Sequence, residues 1–174
     1  MAAEAPWQRL DYGARKFLPA LSALFLGIVT ILPVGIPQWG SLAPPLILMA
    51  VFYWSLVRPD LLPPTVAFCV GLFADLLTGA PLGSQALILV VAQWTLRDQG
   101  RFLANRPFFL MWAAFAPVVA IATAVEWVVN ALFALQFAPI LGELARMILG
   151  FVLFPVVAWV ILIPIHRVIP STER

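Results

Sequence analysis

Residues 139–165 read PILGELARMILGFVLFPVVAWVILIPI, and residues 107–135 read PFFLMWAAFAPVVAIATAVEWVVNALFAL. Each run exceeds the roughly 20 apolar residues that carry a helix across a hydrocarbon core about 30 Å thick. Together they hold three charged side chains, Glu126, Glu143 and Arg146. Four more apolar runs lie upstream: Phe17–Ile36, Leu42–Val57, Leu61–Thr78 and Leu82–Leu96. Gly, Pro and charged residues separate the runs, at Pro37–Ser41, Arg58–Asp60, Gly79–Pro81, Arg97–Arg106 and Gln136–Ala138. The pattern predicts an all-α fold, a polytopic membrane helical bundle of about six transmembrane helices. Segments two to four are short, so they sit upright, thin the bilayer or re-enter it.

The whole composition agrees. Of 174 residues, 63% are hydrophobic and 10% charged, with mean hydropathy +1.02. Soluble domains carry roughly 25% charged residues, so this chain is too poor in charge to cover a water-facing surface. We read residues 1–174 as one membrane domain: an N-terminal segment 1–16, a bundle 17–165 and a tail 166–174. Arg9, Arg15 and Lys16 precede the first run, as in a signal peptide. No small-residue cleavage site separates that run from a polar mature domain, so it reads as a retained helix.

Charge sets an expected orientation. With six spans, nine of the ten basic residues fall on one side, leaving Arg146 alone on the other. The positive-inside rule makes that side the cytoplasm and places both termini there. Trp7, Trp39, Trp54, Trp94 and Trp112 fall near segment ends, as interfacial residues do. Trp127 and Trp159 lie deeper and read as packing residues. Pro117, Pro155 and Pro164 lie inside apolar runs, where they break or kink a helix.

Several functions find no support. The basic residues are scattered, so a pI of 9.2 implies no nucleic acid. Single Cys69 and His166 residues offer neither a disulfide nor a metal cluster and read as structural. Ser84 has no base within reach in this topology, and no Gly-rich phosphate loop occurs. We expect no catalytic residues, no metal and no cofactor.

Ionisable residues at membrane depth are costly and point to function by default. Asp75, Glu126, Glu143 and Arg146 qualify, with Asn130 one turn beyond Glu126. The six-span topology gathers all five in the outer half of the bilayer. Such a cluster forms either a pocket open to the outer side or a helix-to-helix salt bridge of Arg146 with Glu126 or Asp75. The bland reading, internal pairing, is the commoner one for charges in spans.

One stretch is more specific. Tyr53-Trp54 is followed by a charged turn with Pro59, then Gly71-Leu72, Asp75, Gly79, Leu82-Gly83 and Ala86-Leu87. This pattern resembles the rod shape-determining protein MreD family over about 35 residues. The resemblance implies a non-enzymatic scaffold of bacterial cell-wall elongation in the inner membrane. It implies MreC as partner, a glycosyltransferase and a transpeptidase contacted directly or indirectly, and actin-like MreB indirectly. It also implies a fold like the substrate-binding subunits of energy-coupling-factor transporters. On it, Tyr53, Trp54, Pro59, Gly71, Asp75, Gly79, Leu82 and Gly83 form a structural motif or partner interface. The rival reading is a solute-binding subunit of such a transporter, docked through Ala20, Ser22, Ala23 and Gly27 of the first segment.

Overall fold

The computed structural model describes residues 17–32, 43–103, 106–134 and 139–168. Among these the regular structure is entirely helical. The helices are α1 (Leu18–Ile31), α2 (Leu46–Val57), α3 (Pro64–Thr78), α4 (Ser84–Leu103), α5 (Phe108–Ala134) and α6 (Ile140–Val157). A π-helical turn, Ala158–Leu162, joins α6 to a last short piece, α7 (Ile163–Val168). Each expected apolar run thus holds one helix, with α6, the π turn and α7 sharing the sixth. The separators Pro37–Ser41 and Gln136–Ala138, together with Trp7 and Trp39, lie outside the described residues.

Three local corrections have physical causes. The fourth run does not stop at Leu96, because α4 continues through the charged Arg97–Arg101 stretch to Leu103. Gly100 makes this possible by passing close to the Leu56 carbonyl, where an added Cβ would lie 3.1 Å from the oxygen. Pro117 does not break α5, which runs on as one helix. The irregularity expected from Pro155 and Pro164 takes the form of the π turn between them. Pro residues and π turns are both recognised sites of helix irregularity.

The core is built around α2. This helix is apolar on every side, as buried helices are, and ten of its residues are buried. Helices α1, α4 and α6 pack against it. Phe52 of α2 meets Phe115 of α5 and Phe154 of α6 edge-on, at centroid distances of 5.0 and 5.5 Å. Phe115 and Phe154 stack at 4.5 Å. Such pairs contribute about 0.5–1.5 kcal/mol each beyond the area they bury. Trp112 of α5 stacks on Phe151 of α6 and donates its indole N–H to the Phe151 carbonyl at 2.9 Å.

Two tryptophans exchange the roles expected of them. Trp54 is fully buried rather than interfacial, and its indole N–H donates to Ser22 Oγ at 2.9 Å. Trp159, expected in packing, is 66% exposed. It belongs to an outward apolar surface on α5, α6 and the π turn that includes Ile121, Leu132, Val152 and Val160. These two helices are long and apolar enough to cross a membrane, and less than a third of each is buried. Helices α1 to α3 are shorter, at 12 to 15 residues.

Candidate functional site

The polar residues singled out above meet at one end of the bundle, where α3 and α5 finish and α4 and α6 begin. Local geometry places the first of them. Helix α3 ends in Gly79, which is left-handed at φ 68°. Gly83, at φ 96°, turns the chain again into α4. Both conformations strain any residue with a Cβ. The two turns bring the first turn of α4 back over Asp75.

Asp75 is fully buried. Its Oδ2 accepts the Gly83 N–H at 2.8 Å. Its Oδ1 accepts the Gln85 N–H at 2.9 Å and the Ser84 hydroxyl at 3.0 Å. The carboxylate therefore caps a helix other than its own. It satisfies donors that a helix start leaves open and sits at the positive end of the α4 dipole. The Ser84 hydroxyl is spent on the same cap. Gly71, one turn before Asp75, allows the contact: a Cβ there would stand 2.3 Å from Ala86 Cα.

Gln85 carries the chain onward. Its side-chain amide donates to Glu126 Oε1 at 2.7 Å. Glu126, 6% exposed, is paired through Oε2 with the Arg146 guanidinium. Arg146 Nε also donates to the Ala43 carbonyl, just ahead of α2, at 3.2 Å. One run of hydrogen bonds thus joins α3, α4, α5, α6 and the entry to α2. Glu143 stands at its edge, with Oε2 3.9 Å from Arg146 Nη1. That oxygen is buried and, among the described residues, accepts no hydrogen bond.

Most of the sequence-predicted residues are brought together. Asp75, Gly79 and Gly83 shape the turn, while Glu126, Arg146 and Glu143 follow from it. Leu82 is 69% exposed at the turn's tip. Asn130 is exposed and stands outside this run of bonds. Tyr53, Trp54 and Pro59 lie elsewhere. The aromatic pair is buried in α2. Pro59 occupies the second position of a turn closed by the Leu61 N–H on the Arg58 carbonyl at 3.0 Å, where its fixed φ is favourable. The sequence reading missed Gln85, the residue that bridges the two halves, and Gln93, which is buried and donates to the Leu62 carbonyl at 3.0 Å. Their signal was a polar amide inside an apolar run. Cys69 is exposed rather than a core residue. Among the described residues no group of three His, Cys, Asp or Glu side chains is placed to hold a metal.

Apolar outer faces around an interior tied by polar side chains define a helical bundle of membrane type. The family model of the rod shape-determining protein MreD matches residues 14–166, most of the chain, and the protein belongs to that family. It is therefore a cell-shape-related membrane protein, associated with the shape-determining machinery. No curated protein and no solved structure matches it.

Proposed function

We propose that this protein is a non-enzymatic scaffold of cell-wall elongation in the bacterial inner membrane, with six spans and both termini cytoplasmic. It would bind MreC and, directly or through it, the wall glycosyltransferase and transpeptidase, with MreB reached indirectly. The observation that carries the reading is Asp75. A fully buried carboxylate whose oxygens accept three internal hydrogen bonds holds shape and offers no group for chemistry. What it holds is the Gly79–Gly83 turn, which presents Leu82 outward. We assign the turn as the contact with MreC, and Asp75 as the residue that positions it.

The transport-subunit reading gains no such support. Ser22, Ala23 and Gly27, which would have to face a coupling helix, are buried inside this bundle.

Tagged protein purified from gently solubilised native membranes should bring down MreC and wall synthases. Leu82→Arg should lower MreC recovery at least five-fold at equal expression. Asp75→Ala should lower it through loss of the turn. Recovery of an ATPase pair with a coupling subunit, and no wall proteins, would overturn the reading.

A further inference from the structure

A groove of about 330 Å³ runs between α5 and the start of α6. Its walls are apolar except for Thr123, Trp127 and Glu143. Glu143 is the only charged residue of its lining; its Oε2 is buried towards Arg146 and among the described residues accepts no hydrogen bond, while the side chain as a whole is 21% exposed. Arg146 is the nearest cation at 3.9 Å, but its guanidinium is held by Glu126 and by the Ala43 carbonyl. Two carboxylates therefore share one guanidinium that is already committed. A carboxylate beside an apolar, lipid-level groove is expensive without a cation of its own.

We propose that this groove is a docking site for a lysine or arginine side chain carried on a partner's membrane-embedded helix. The chemistry fits at both ends. The aliphatic stem of a basic side chain matches apolar walls while its head reaches the carboxylate. A zwitterionic lipid headgroup fits less well, because it brings a phosphate beside Glu143 and no net positive charge to offset the site. A second groove, between α4 and α5, sharpens the contrast. It has about 290 Å³, is lined by Ile88, Val91, Ile121 and similar residues, and contains no charge. Lipid chains alone satisfy it. The docking site does not depend on the Gly79–Gly83 turn or on MreC as its occupant.

The test is photocrosslinking of the full chain in native membranes, with benzoylphenylalanine at Val128 in the first groove or at Ile121 in the second. From Val128 we expect adducts with an apolar protein segment that carries a Lys or Arg within a turn of the attachment point. E143Q should cut their yield at least five-fold. Glu143→Lys combined with an acidic replacement of that partner residue should restore it. Ala124→Trp fills the groove from the other wall, leaves every charge in place, and should give the same loss. From Ile121 we expect lipid adducts that E143Q leaves unchanged. Lipid adducts alone from Val128, or protein adducts indifferent to both E143Q and Ala124→Trp, would overturn the proposal. Loss of MreC from the pull-down while the Val128 adduct still depends on Glu143 would sink the scaffold reading and leave this one standing.

Discussion

Asp75 and Glu143 are both carboxylates set in apolar helices at the same end of the bundle, yet their surroundings are opposite. Asp75 lies in the α3–α4 corner, where backbone and hydroxyl donors from the next ten residues close around it. Glu143 lies on the α5–α6 side, where Arg146, three residues along, faces it but binds Glu126. In the first corner a tight turn supplies the donors, so the charge is consumed locally. In the second region the loop between the helices supplies no described donor, and the partner must come from another helix. Membrane helices gain little from burying apolar surface against each other, since lipid is equally apolar. Close packing and polar ties carry more of the burden, so a satisfied acid and an unsatisfied one mark different jobs.

The contrast can be broken at four points. The largest effect is expected for Gly71→Val. Its Cβ would collide with the α4 backbone at Ala86, which cannot move without dragging the Asp75 cap with it. We expect loss of folded protein, read as failure to accumulate in membranes. Normal levels would show that α3 and α4 do not pack as closely as described. Next comes Arg146→Met, which leaves Glu126 buried without its cation. Breaking a buried pair costs about 3–5 kcal/mol, so the detergent melting temperature should fall sharply. Adding Glu126→Leu should recover most of the loss, and a double variant no better than the single one would contradict the pairing.

Asp75→Asn is milder. It keeps one acceptor oxygen but turns the other position into a donor that faces the Gly83 N–H. A loss of about 1–3 kcal/mol is expected, measured by urea or thermal unfolding in mild detergent. The smallest effect is expected for Glu143→Gln. With no hydrogen bond to lose at Oε2 and an underpaired buried charge removed, stability should stay within about 0.5 kcal/mol of the parent or rise above it. A fall as large as that of Asp75→Asn would mean that Glu143 is a structural tie after all, and the two regions would cease to differ.

Much of the fold was legible because hydrophobic runs and their Gly, Pro and charged separators are one-dimensional signals. The ends were less so. Helix α4 outruns its apolar pattern because Gly100 lets a polar turn pass close to α2, and close approach leaves no trace in hydropathy. Topology left Arg146 two candidate partners, Glu126 and Asp75, and the structure pairs it with Glu126, because the first turn of α4 already claims Asp75. Asp75 was singled out as an acid inside an apolar run, but position along a run says nothing about donors. That it caps α4 depends on two left-handed glycines acting together. Trp54 and Trp159 were misplaced for the same reason. Position along a helix is readable, whereas which side of it faces a neighbour depends on helices not yet assembled. Gln85 escaped notice because an amide is not ionisable, although it joins the two acids.

The uneven helix lengths carry a last consequence. Helix α3, with 15 residues, is about 22 Å long, while the apolar span from α6 through the π turn into α7, with 26, is about 39 Å. Seated in a bilayer, such a bundle would be tall along α5 and α6 and squat along α3, whose outward face carries Phe68, Phe73 and Leu76. Lipid has to thin on the squat flank to keep apolar surface covered. The protein would therefore press a shallow dimple into the membrane on one side only. Neighbours with short hydrophobic segments would settle into that dimple, and those with long ones would collect against the tall flank.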